Sequence, residues 1–96
     1  MDTNYKMLRT FDFHPENYGV CTGEEVKQIE EHFKIKERSD VELQNLRDFV
    51  VMYYHDLAHQ KLVDEDRNTE YLKIMDTMSA VTGVIDEDKW NRGMEV

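Results

Sequence analysis

The chain has 96 residues, 40% of them hydrophobic and 34% charged, with one proline and four glycines; this is the composition of one small folded domain rather than of a disordered or low-complexity chain. Its 21 acidic residues against 12 basic ones give a net charge of −9, which argues against the basic face that direct binding to nucleic acid or to an anionic membrane requires. The single cysteine, Cys21, excludes an intrachain disulfide and a cysteine zinc cluster, and points to a reducing, cytoplasmic setting.

A domain of this size buries only about 60% of the surface its unfolded chain exposes, so stability is expected to be modest unless a partner or a second copy adds to it. The opening "MDTNYKMLRT" holds no apolar segment, which predicts no secretory leader. The longest apolar run, Phe49 to Tyr54, is far too short to span a membrane.

Residues 1–21 hold four aromatics, Tyr5, Phe11, Phe13 and Tyr18. Phe11 and Phe13 alternate around Asp12, and His14-Pro15 biases the backbone toward extended or turn geometry. These features predict an irregular or extended aromatic arm laid over the open side of a helical core.

Thr22 followed three residues later by Glu25 is a capping box, and Val26, Ile29 and Phe33 follow at helical spacing. The pattern predicts a helix running to about Glu37. Ser39 and Glu42 repeat the device and open a second helix near Asp40. On its wheel Leu43, Leu46, Phe49, Val50, Tyr53, Tyr54 and Leu57 share one broad face. The opposite side, with Met52, His55 and His59, is mixed rather than polar, which suggests a helix with neighbours on more than one side.

A third helix is expected to start within "DEDRNTE", where Asp64, Glu65 and Asp66 complement a helix dipole, and to end near Ile85. Tyr71, Ile74, Met75, Met78, Val81, Thr82 and Ile85 form its core stripe. Asp76, Ser79, Ala80 and Gly83 lie on its other side, a small-residue face suited to self-association, with a homodimer as its consequence. Residues 86–96, "DEDKWNRGMEV", complete the chain as an acidic tail with the lone tryptophan. From Val63 onward there are nine acids and four bases, so this part carries −5 of the −9. The fold class is therefore all-α: a small helical domain with a two-helix antiparallel hairpin, one shorter N-terminal helix and an aromatic arm.

Two constellations invite chemistry. His55 and His59, one helical turn apart in "YYHDLAHQ", are able to share a metal ion. A site needs a third ligand, from Asp48, Asp56, Glu30, Glu31 or His32, and the glutamate that metalloprotease helices place after the first histidine is replaced by Asp56. "EEVKQIEEH", from Glu24 to His32, has the Glu-x-x-Glu spacing of helical magnesium-dependent nucleotide hydrolases, but no second acidic pair stands ready to face it. Cys21, just before a helix start, is the one candidate nucleophile. No glycine-rich phosphate loop is present, and no cofactor is implied.

The expectation is thus a non-catalytic acidic module that binds a basic protein, concretely an inhibitor or regulator occupying a basic site on a nucleic-acid-handling protein. Asp64, Glu65, Asp66, Asp86, Glu87, Asp88 and Trp90 are its expected contact residues, with tryptophan as anchor. Small acidic phage and mobile-element proteins that counter host defence work in this way, their carboxylates spaced like phosphates; the analogy is one of size and composition only. The alternatives are a small metal-dependent helical enzyme built on His55 and His59 or on the carboxylates from Glu24 to Glu31, and a self-associating subunit of a larger assembly.

Overall fold

The computed structural model describes residues 3–11, 13, 21–63 and 65–94. These form four α-helices: α1 (Thr3–Thr10), α2 (Gly23–His32), α3 (Asp40–Val63) and α4 (Asn68–Asn91), with short 3-10 turns at Ile35–Glu37 and Glu65–Arg67. No strand is present among the described residues, and no helix is long and apolar enough to cross a membrane. The two long helices pack as an antiparallel hairpin, as their short connection dictates.

Both capping boxes form as the sequence indicates. The Thr22 hydroxyl accepts from the Glu25 backbone N–H at 3.2 Å, and the Glu25 carboxylate accepts from the Thr22 N–H at 2.7 Å. Ser39 and Glu42 repeat the exchange at 3.2 and 3.1 Å, setting the start of α3 at Asp40. The α3 stripe faces inward, with Leu43, Leu46, Val50 and Leu57 buried. From α4, Met75, Met78, Val81, Val84 and Ile85 meet them, and Ile29, Phe33 and Ile35 close one end of the core. Each such side chain contributes about 1.5–3 kcal/mol through burial, so the hairpin and the α2 cap form one apolar unit.

Three boundaries differ from the sequence-based expectation. First, part of the expected extended arm is helical: Thr3–Thr10 forms α1, which buries Leu8. Beyond it Phe11 stacks on Phe13 and on His32, with centroids 5.1 and 4.7 Å apart, and meets Phe33 edge-on. The His32 Nε2–H donates to the Met7 carbonyl at 2.7 Å. The aromatics do cover the core, but a helix delivers them. The expected turn at His14-Pro15 and Tyr18 lie outside the described residues.

Second, α2 ends at His32 instead of near Glu37, because Lys34 adopts a left-handed conformation (φ 55, ψ 42) that cannot continue an α-helix. Third, α4 does not stop near Ile85 but runs to Asn91, so most of the expected acidic tail is helix. It is held there by side chains from elsewhere in the fold. Asp88, only 4% exposed, accepts from Lys36 Nζ and from Arg92 Nε, each at 2.7 Å. Arg92 also donates to the carbonyls of Ile35 and Arg38 and to Asp40. Arg47 of α3 pairs with Asp86, and buried Lys89 donates to Gln44. Gly93, at φ 80, then ends the helix, with bonds from its N–H to the Trp90 carbonyl and from the Met94 N–H to the Lys89 carbonyl.

Candidate partner-binding surface

The expected contact residues do not act as one group. Asp64 lies outside the described residues, and Glu65 and Asp66 fall in the turn before α4, with Asp66 exposed. Asp86, Glu87, Asp88 and Trp90 lie at the far end of the helix, some 30 Å away at 1.5 Å per residue. Within that second group the roles separate again. Asp88 is a buried structural anion: burial pushes its pKa up, but the hydrogen bonds and charges of Lys36 and Arg92 more than offset this and leave it below the usual carboxylate value. Asp86 is half-buried and bound by Arg47. Both carboxylates are thus engaged within the fold, Asp88 by Lys36 and Arg92 and Asp86 by Arg47. Glu87 is exposed, and Trp90 stands 74% exposed.

The small-residue face has a definite setting. Asp76, Ser79 and Gly83 are exposed, while Ala80 is half-buried against the core. Ser79, Ala80, Gly83, Val84 and Glu87 form one wall of a groove whose other wall is Cys21 and Val26, at the start of α2. A methyl group added at Gly83 would meet no atom of the described residues within 4 Å, so no described neighbour requires a glycine there. Seven residues on, Trp90 follows Gly83 on the same helical stripe, about 10 Å along the axis.

The chemistry-bearing candidates disperse. His55 and His59 are both exposed on the outer side of α3, together with Met52; that side has no neighbour among the described helices, contrary to the expectation from its mixed character. No group of three or more His, Cys, Asp or Glu side chains placed to hold a metal exists among the described residues. The Glu24–Glu31 carboxylates also divide: Glu25 closes the capping box, Glu30 pairs with Lys36 at 3.2 Å, and Glu24 and Glu31 are exposed. Burial, then the nearby Glu25 carboxylate, pushes the Cys21 thiol above its usual pKa, which opposes nucleophilic use.

A second cleft opens where α1 meets the hairpin, walled by Leu8, Phe11, Tyr53, Leu57, Ile74 and Met78. The Arg67 guanidinium lies over the Tyr71 ring at its rim, 5.5 Å from the centroid, and pairs with Glu70. Sequence reasoning identified Trp90 and the small-residue face separately but missed Cys21 and Val26 as the opposite wall, because their approach to α4 depends on how α2 packs. Compared with protein-family models, curated proteins and solved structures, the chain gives no match.

Proposed function

We propose that the protein is a non-catalytic binding module for a basic protein partner, acting as an inhibitor or regulator at a basic site of a nucleic-acid-handling protein. One observation carries this reading above the rest: the only tryptophan stands 74% exposed on a structured helix beside the exposed carboxylate Glu87. Tryptophan is enriched among the side chains that anchor interfaces, because it joins a large apolar area to one polar N–H. The charge distribution supports it. Among the described residues eleven carboxylates stand exposed against six bases, and Arg47, Lys89 and Arg92 are held by partners within the fold. Such a surface steers a cationic partner from a distance and is screened by salt.

The test is affinity capture from the source cells with the wild-type protein and with Trp90→Ala, bound proteins being identified by mass spectrometry. A basic nucleic-acid-handling protein should be retained by the wild type, released by added salt, untouched by chelator and lost with Trp90→Ala. Retention of the same protein through high salt, or equally by Trp90→Ala, would refute the reading. A metal-dependent enzyme would instead lose its partner-independent activity with chelator and with substitution of His55.

A further inference from the structure

The groove between the start of α2 and α4 points to the kind of element that fills it. Its walls are apolar or small: Cys21 and Val26 on one side, Ala80, Gly83 and Val84 on the other, with Ser79 and Glu87 at the α4 rim. It runs beside a straight helix rather than closing into a pocket, and the structure offers no exposed strand edge among the described residues. An extended peptide therefore has no backbone to pair with, which leaves a helix laid in the groove as the fitting mode.

Gly83 gives the second reason. Glycine inside a helix is disfavoured relative to alanine, and here no atom of the described residues lies within 4 Å of where a Cβ would stand. Its backbone conformation is not one that demands glycine, since the positive-φ residues are Lys34 and Gly93 alone among those described. A neighbouring helix axis approaches closest where the contact side chain is smallest. Gly83, with Ser79 one turn before it, therefore marks a crossing point, and Trp90 stands two turns along as a wall for the occupant's flank.

Charge selects the occupant. From Lys73 to Asp88, α4 carries Asp76, Asp86, Glu87 and Asp88 against the single base Lys73. Asp86 and Asp88 are neutralised inside the fold, so Asp76 and Glu87 are the carboxylates left facing outward. A second copy of this chain carries the same net −9, so two such surfaces repel as they approach. A cationic helix meets Asp76 and Glu87 favourably and offers Trp90 a cation for its ring face.

We infer that this groove docks a basic amphipathic helix of the partner, its small apolar stripe crossing α4 at Gly83 and its Lys or Arg flank engaging Glu87, Asp76 and Trp90. The inference rests on the basic-partner reading above and deepens it by naming the site and the secondary structure recognised.

Trp90 is the only tryptophan and lies two turns from Gly83 on the same helical stripe, so its fluorescence reports on a helix that extends along the groove past Glu87. The probes are two labelled synthetic helices with the same Ala/Leu stripe, one flanked by Lys and one by Glu, added to the full chain. The Lys-flanked helix should shift Trp90 emission saturably to shorter wavelength, and the Glu-flanked helix should not. Gly83→Leu places a bulky side chain at the crossing point, where a Cβ meets no described atom within 4 Å, so it should leave the circular dichroism spectrum unchanged yet weaken binding about 10-fold or more. Glu87→Lys should weaken it comparably. Binding seen by the label's anisotropy with Trp90 silent and Gly83→Leu neutral would overturn the groove while leaving the basic-partner reading intact. Equal binding of both helices, or of neither, overturns the charge selection. A shift that grows with protein concentration alone, accompanied by a doubled mass in sedimentation, would overturn the inference in favour of a second copy.

Discussion

Replacing Asp88 by alanine should destabilise the protein by about 2–3 kcal/mol, and the geometry sets that figure. Asp88 accepts two charge-assisted hydrogen bonds of 2.7 Å from groups on either side of it. The Lys36 side chain is 61% exposed and keeps Glu30 as a partner, so its bond counts as a surface pair worth about 0–1 kcal/mol. Arg92 is 21% exposed, and a bond between charged groups there is worth roughly 1.5–3 kcal/mol. Alanine does not orphan Arg92, because the carbonyls of Ile35 and Arg38 and the Asp40 carboxylate still receive it. The cost therefore stays below the roughly 3–5 kcal/mol of an uncompensated buried charge. For a domain of this length it corresponds to a fall in Tm of about 10–20 °C. Urea denaturation followed by circular dichroism measures it, with Lys36→Met as the control expected to cost under about 1 kcal/mol. A loss below about 0.5 kcal/mol for Asp88→Ala, within the range of ordinary surface substitutions, would show that residues 86–91 hang free as a tail and that the network around Asp88 does not hold α4.

Gly83→Ala should stabilise the free protein by roughly 0.5–1 kcal/mol, since the added methyl meets no atom of the described residues within 4 Å; a drop in thermal stability would mean that something already occupies the space beside Gly83. Lys34→Gly should also stabilise, by up to about 1–2 kcal/mol less the entropy glycine loses, because Lys34 holds φ 55 without a side-chain cap; equilibrium unfolding showing a loss would place the α2 end elsewhere. Acid should unfold the protein in a defined sense. Asp88 sits below its usual pKa for the reasons given above, Glu42 does so through the Ser39 backbone N–H and hydroxyl, and Glu70 through its hydrogen bond with Arg67. Their folded values lie below the unfolded ones, so their contribution is whole above the ordinary carboxylate range near pH 4 and is lost as pH falls through the folded values. Urea midpoints measured down the acid limb should decline less steeply for Asp88→Asn than for the wild type; parallel slopes would remove Asp88 from the linkage.

What the sequence disclosed is what local chemistry controls. Thr22/Glu25 and Ser39/Glu42 specify two helix starts within four residues of chain each, and the structure shows both bonds of each box. The stripes of α3 and α4 follow from spacing alone, and with them the all-α hairpin. The last turns of α4 were misread because a run such as "DEDK" scores as solvent-loving, whereas burial of Asp88 depends on Lys36, 52 residues away. Periodicity carries no record of such a partner. Gly93 was the available signal: a glycine just beyond Trp90 and Asn91 marks a helix stop there and not at Ile85. The α1 helix offered less, since its eight residues have no acid in the first turn, and the alternation of Phe11 and Phe13 pointed the other way. Of the surface, Trp90, Glu87 and the small-residue face are legible as residues; that Cys21 and Val26 turn Glu87 and the small-residue face into a groove follows from the docking of α2, which no local pattern encodes.

The most direct measurement is the emission of Trp90 in the free protein, with its quenching by acrylamide, over a range of protein concentrations. An anchor presented to a partner gives the long-wavelength emission of an indole in water, quenched freely and independent of concentration. A short-wavelength emission shielded from quencher at every concentration would mean that the tryptophan is folded into its own domain, and the partner-binding surface proposed here would lose its anchor.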